Sequence, residues 1–321
     1  MQTPNSSSLL KRPATFFCRL NYIEFIEPIG PGAEFSDGFF ITNDRATIEN
    51  IVDWKFFNEI GSLEFRHLME SAVMAYRKLE NVEEGRDQKA LVDSLLILNS
   101  FEECFWLHAD SCVGHEAAFI KCGSRVSSNY YGGIRSLANS EQKTLTLKAG
   151  ELRSIVKLYS TKLAPNFNKA PIMVHTKTNS TRISRTLSYV SRAQMSVDPA
   201  EKIAFYCTAL ETLFSTSQSE LAHQIAERVA VISSQDAGAR NDRYWFVKEC
   251  YTTRSKYLHG SPQKDSAVED IFKKVSKLDD LVRSSIHSAL SDRAFMSALE
   301  SEKSLDEFMI RKILGITSYK T

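Results

Sequence analysis

A chain of 321 residues, 43% apolar and 25% charged, has the composition of a globular protein with a substantial core. Its length leaves room for two domains. It contains no apolar run of about 18 residues, which argues against a membrane-spanning helix. The net charge of +1 conceals three blocks: −7 over residues 1–134, +9 over 135–197 and −1 over 198–321. A central block of one sign is a candidate contact for a polyanion, because Lys and Arg that neutralise phosphates release counterions. The alternative is a solvated basic face that balances the acidic N-terminal region. Six scattered cysteines lack the density of a disulfide framework, so reduced thiols in a cytoplasmic protein are expected.

In chain order, residues 1–17 read as a disordered lead-in rather than a signal peptide, since they hold no continuous apolar stretch before a small-residue cleavage site. "TFFCRLNYIEFIEPIG" is rich in aromatic and β-branched residues and predicts strand; "PGAEFSDG" supplies a turn before "FFIT". Residues 46–82 read as helical, with Ile48, Ile51, Val52, Phe56 and Phe57 at helical spacing and Leu68, Val73 and Leu79 continuing less cleanly. "ALVDSLLILNS" fits either strand or helix, "GSRVSSNYYGG" reads as loop, and "KTLTLKAG" alternates like a strand. A boundary falls near 164–180, where Pro165, Pro171 and small polar residues carry no period.

From about 181 onward the pattern is helical. "RISRTLSYVSRA" leads. "VDPAEKIAFYCTALETLF" follows, with Asp198 to cap it, Pro199 at the first helical position and Glu201 to complete a capping box. Its stripe is Ile203, Cys207, Leu210 and Phe214. "SQSELAHQIAERVAVI" shows a second box, Ser217 and Glu220, ahead of Leu221, Ile225, Val229 and Ile232. "NDRYWFVKECYTTRSKYLHG", "DSAVEDIFKKVSKLDDLVRSSIHSAL" and "SLDEFMIRKILG" complete about six helices, the last with Ser304 and Glu307 at box spacing and Gly315 as its stop. The expected architecture is an α+β N-terminal domain, 1–175, followed by an all-α antiparallel bundle, 176–321.

One position breaks the apolar stripe. Val247, Cys250, Tyr251 and Leu258 line the third long helix, and Arg254 stands where the next core residue belongs. A charge there needs a carboxylate, a phosphate or a solvated cleft. His259 closes the helix before Gly260 and Pro262; the dipole's C-terminal end and Arg254 act on its imidazole with opposite signs, a setting for proton transfer. An i,i+5 pair is about 140° apart on a helix, so the two side chains flank a groove. Arginine would grip a phosphodiester there and stabilise developing charge, and histidine would act on the 2′-hydroxyl or the leaving oxygen.

Arg254-x4-His259 within "YTTRSKYLHG" resembles the Arg-x4–6-His signature of HEPN ribonucleases. With "ALETLF" and "ELAHQIAERVAVI" ahead of it, the ordered set is similar to the Apea-like HEPN branch over roughly residues 180–290. The resemblance implies an all-α HEPN-type bundle acting as a metal-independent endoribonuclease, a toxin or antiphage-defence effector, with no cofactor. Its Arg/His pairs would meet in one composite cleft across a homodimer. Matched by position are Glu211, Arg254, Ser255 and His259. Glu211 reads as a buried partner that orients the arginine. Lys256 and Tyr257 would flank the cleft, or else be a solvated lysine and a core tyrosine. Arg182, Arg185 and Arg192, at the end of the basic stretch, would guide RNA in. The N-terminal domain would hold the enzyme inactive or sense a phage-derived trigger or regulatory partner. The rival is a non-catalytic bundle that binds RNA or protein or only dimerises, with Arg254 paired to Glu211. Because the arginine would sit in a desolvated groove, Arg254→Ala is expected to be tolerated structurally.

Cys104, His108, Cys112, His115 and Cys122 are ligand types that zinc uses. Four of them would spread over about 16 Å of helix, so buried thiols and histidines are the preferred reading and no metal is assigned. His223, beside an apolar stripe, reads as a partly buried histidine. No phosphate-binding glycine loop or serine nucleophile elbow is present.

Overall fold

Residues Lys11–Leu20 form β1, the strand around which the N-terminal sheet is built. The computed structural model describes residues 11–129, 133–167, 180–260 and 268–316. The reading of 1–17 as a lead-in therefore fails from Lys11 onward, while residues 1–10 lie outside the described ones. Phe16 and Phe17 explain why: they point to opposite faces and both are fully buried. β1 pairs antiparallel with β5 (Val73–Glu83) and β6 (Ala118–Cys122). With β3 (Ala33–Ser36), β4 (Phe39–Thr42) and β7 (Arg125–Asn129) the order is β3-β4-β5-β1-β6-β7. β2 (Ile23–Phe25) and β8 (Leu145–Leu147) make a separate parallel pair.

The helix expected over 46–82 is three short helices and a strand. Asp44 caps α1 (Arg45–Ile51) by accepting from the Thr47 N–H at 2.9 Å, and Asp53 caps α2 (Trp54–Ile60) through Phe56 N–H at 3.1 Å. Gly61, at φ +88°, turns the chain into α3 (Ser62–Met69). Residues 73–83 are β5, whose first four residues are buried; a strand covered on both faces carries a continuous apolar run, not a period of two. "GSRVSSN" is likewise not loop: Gly123, at φ +63°, opens a two-residue hairpin that pairs Cys122 with Arg125. One sheet face packs Phe17, Met74, Tyr76 and Phe119 against Ile48, Val52, Phe56 and Leu68. On the other, Phe16, Phe39 and Phe35 meet Phe101 of α4 (Asp87–His108), with Phe35 and Phe101 stacked at 3.9 Å. Tyr159, in the π-turn Tyr159–Leu163 that follows α5 (Ala149–Leu158), packs edge-on to Phe101 at 5.3 Å.

The chain divides into two compact units, and the boundary is not a single cut. Residues 1–106, 111–134 and 143–163 make the first; residues 107–110, 135–142 and 164–321 make the second. The second is largely helical: α6 (Ala164–Phe167), α7 (Arg182–Met195), α8 (Pro199–Phe214), α9 (Leu221–Ser233), α10 (Ala237–Leu258), α11 (Val268–Ser291), α12 (Arg293–Ala298) and α13 (Glu302–Ile313). α8 lies at its centre, against α7, α9, α10 and α11, and Ile203, Cys207, Leu210 and Phe214 are all fully buried. No helix among the described residues is long and apolar enough to cross a membrane.

The caps differ in part from the sequence reading. Asp198 accepts from the N–H groups of Ala200 and Glu201, but the Glu201 carboxylate takes the Ser196 hydroxyl instead of closing a box. Ser217 and Glu220 form no box either: Glu220 is the N-cap of α9 in a left-handed conformation, without a side-chain bond. Ser301, not Ser304, caps α13, and Asp236 starts α10 before residue 241.

A buried polar network ties the segments 107–110 and 135–142 into the helical unit. Lys202, fully buried, donates to Ser136 Oγ at 3.0 Å and to the Ala193 carbonyl at 3.1 Å. Tyr206 donates its hydroxyl to Asp279 Oδ1 at 2.6 Å, and Arg283 stands 2.8 Å from Asp279 Oδ2. Asp110 accepts twice from the Ala138 N–H, at 3.1 and 3.2 Å. Burial pushes the Asp110 carboxyl up, against the pull of Arg283 and Lys202. His287 Nε2 meets the Leu107 carbonyl at 2.7 Å.

Candidate functional site

α8 and α10 bring Glu211 and Arg254 together. Arg254 donates from Nη1 to Glu211 Oε1 at 2.7 Å and from Nη2 to Oε2 at 3.5 Å. The carboxylate thus holds one edge of the guanidinium firmly and the other loosely, while Nε is buried without a partner. The guanidinium also lies 5.6 Å from the centre of the Tyr251 ring. Burial and the nearby Glu211 carboxylate push the Tyr251 phenol up. Cys207 and Cys250 lie buried beneath the pair, and burial raises the Cys250 thiol to about 12. Such thiols are packing groups, not nucleophiles.

Arg254→Ala is consequently not neutral. Burial holds the Glu211 carboxyl above the usual carboxylate range, with Arg254 opposing it. An acid raised in the folded state keeps a proton that the unfolded chain has lost, so its contribution to stability falls as pH rises through that window. Without Arg254 the largest influence opposing that burial is gone. Arg254→Ala is expected to lose about 2 kcal/mol near neutral pH, and much less at about pH 3, below the ordinary glutamate range, where the carboxyl is protonated in both states. Urea denaturation across that range measures it; an equal loss at both ends would show that the pair contributes no charge attraction.

His259 is the C-cap of α10, at φ −90° and ψ 8°, with its backbone N–H on the Ser255 carbonyl. Its side chain is exposed and makes no hydrogen bond among the described residues. Gly260 follows at φ +67°. Ser255 and Lys256 are exposed, and Tyr257, half-buried, turns toward α8, where burial, Glu201 and Asp198 raise its phenol. Leu258, placed in the core stripe by its spacing, is 60% exposed. The terminal turn of α10 therefore presents Ser255, Lys256, Leu258 and His259 to solvent.

The three arginines of α7 share one helix face but not one state. Arg182 is committed: Nη1 donates to the Thr212 and Ser215 carbonyls at 3.0 and 2.9 Å, satisfying the C-terminal end of α8. Arg185 donates to the Ser180 carbonyl at 2.7 Å. Arg192 is exposed and lies over Tyr189 at 5.3 Å. Arg182 and Arg185 border a cleft of about 580 Å³ that Glu300 and Glu302 also line.

In the first unit, Cys104 and Cys112 are buried, and His115 Nδ1 meets Glu102 Oε1 at 2.6 Å with both side chains inside. None of the six cysteines is joined in a disulfide. Among the described residues no group of three or more His, Cys, Asp or Glu stands placed to hold a metal ion. His223 is exposed rather than partly buried, its Nδ1 2.8 Å from the Tyr244 hydroxyl.

Two features escaped the sequence reading. Lys202 and Asp279 sit on the apolar stripes of their helices, four residues from Tyr206 and Val275, which is the signal that singled out Arg254. The other is Trp245, 62% exposed on α10. Comparison with protein-family models, curated proteins and solved structures returned no match to this chain.

Proposed function

We propose that the chain is a HEPN-type, metal-independent endoribonuclease that uses Arg254 and His259, and that it serves as a toxin or antiphage-defence effector. The observation that carries the reading is a guanidinium steadied by Glu211 near the end of the same helix that closes on an unbonded imidazole. The three sequence blocks behind the resemblance also fall on consecutive helices, α8, α9 and α10. In the reaction, the 2′-oxygen attacks the adjacent phosphorus and gives up its proton, the P–O5′ bond breaks, and O5′ takes a proton. The products are a 2′,3′-cyclic phosphate and a 5′-hydroxyl. Arg254 stabilises the charge that builds on the non-bridging oxygens, and His259 gives or takes one of the protons. Two proton transfers are served better by two pairs, so a two-fold dimer meeting at the C-terminal end of α10 completes the cleft.

The second reading is a non-catalytic binding or dimerisation bundle, and what favours it is that Arg254 spends its shortest bond on Glu211. Incubating the purified chain with total RNA in EDTA separates the two. Cleavage that survives chelation and leaves 5′-hydroxyl ends is the expected result. Activity abolished by EDTA and restored by a divalent ion would sink the mechanism, and intact RNA would favour the binding module. Light scattering on the same sample tests the dimer.

A further inference from the structure

The outward face of α10 is a continuous track. Asn241, Trp245, Lys248, Thr252, Ser255 and His259 follow at spacings of four, three, four, three and four, with Lys256 beside them. None of these positions is a carboxylate. Glu249, just off the track, is drawn aside by Lys274 at 2.7 Å. Lys248 is half-buried and Lys256 exposed, and neither has an ion-pair partner among the described residues. Lys248 also borders an open hollow of about 580 Å³ lined by Glu220, Leu221, Ala222 and His223.

Trp245 is the unusual member. Most of its indole stands in solvent, yet the ring is braced. Tyr244 packs against it edge-on, 5.2 Å between centroids and 87° between planes, and the Tyr244 hydroxyl is fixed by His223 at 2.8 Å. A braced, exposed aromatic, with Lys248 and Lys256 farther along a track that holds no carboxylate of its own, has the composition of a single-strand platform: bases stack on the ring and phosphates follow the cations. We propose that Trp245 stacks a base of single-stranded RNA whose backbone runs past Lys248 toward His259; the choice of RNA rests on the ribonuclease reading. Fourteen residues separate Trp245 from His259, about 21 Å along the helix. A dimer that meets at the histidine end leaves the tryptophan end to the substrate.

The test is binding rather than cleavage, in the full chain carrying His259→Ala so that RNA stays intact. A fluorescently labelled unstructured oligoribonucleotide is titrated against this background, then with Trp245→Ala, Trp245→Phe or Lys248→Gln added, while light scattering follows each sample. Trp245→Ala is expected to weaken binding about tenfold or more, and Trp245→Phe to keep most of the affinity. Lys248→Gln should reduce the log–log salt slope by about 0.7. Unchanged affinity in Trp245→Ala would overturn the proposal, as would a background protein that binds no RNA. A loss of affinity that comes with dissociation of a dimer would assign Trp245 to self-association and overturn it equally. The ribonuclease reading fails separately: RNA held through Trp245 but left intact by the protein with His259 would sink the catalysis and leave this site standing.

Discussion

His259→Ala is expected to slow RNA cleavage by about 10²–10⁴-fold, the range that a positioned general acid or base supplies, with little change in stability. The imidazole is exposed at the C-cap of α10 and unbonded among the described residues, so its removal opens no cavity and strands no partner among them. Arg254→Ala should also abolish cleavage, but with a lower melting temperature, because Glu211 then loses the cation that faces it. The contrast is the informative part. Catalysis lost in a fully stable His259→Ala protein marks a chemical role. Cleavage and RNA binding both unchanged in that variant would leave the bundle as a binding module and remove His259 from the mechanism.

The second large effect is on the fold. Asp279→Ala is expected to destabilise the helical unit by about 3–5 kcal/mol, the cost of removing one partner from a buried charged pair. Asp279 is fully buried; its loss deprives the Tyr206 hydroxyl of its acceptor and takes from Arg283, nine-tenths buried, the carboxylate that stands 2.8 Å away. Asp279→Asn keeps an acceptor for Tyr206 and should fall between the two. A decrease below about 1 kcal/mol in urea denaturation of Asp279→Ala, within the range of ordinary surface substitutions, would show that the network is not needed for stability.

Much of the helical unit is legible from local rules. Asp198 and Pro199 start α8 where the sequence places its cap, and the stripe from Ile203 to Phe214 is buried as its spacing requires. Gly315, at φ +69°, follows the end of α13 as a stop signal should. The N-terminal half is far less legible. Val73, Met74, Ala75 and Tyr76 are all buried, which erases the alternation by which a strand is recognised. Three helices of seven or eight residues are too short to separate cleanly from one longer helix with a weak period.

For the candidate site, residue types and spacing alone drew attention to Arg254 and His259, since a cation on an apolar stripe demands a partner wherever it lies. The identity of that partner, Glu211, was read as a positional match, and only the packing of α10 on α8 brought the two within 2.7 Å. Leu258 and Arg182 were decided the same way. One looked like core but is exposed; the other looked like an RNA contact but spends Nη1 on two carbonyls of α8. Periodicity states which residues share a face of their own helix. What covers that face, which carbonyls stay unsatisfied and which charges meet depend on contacts between residues far apart in the chain, and those exist only once the helices have packed.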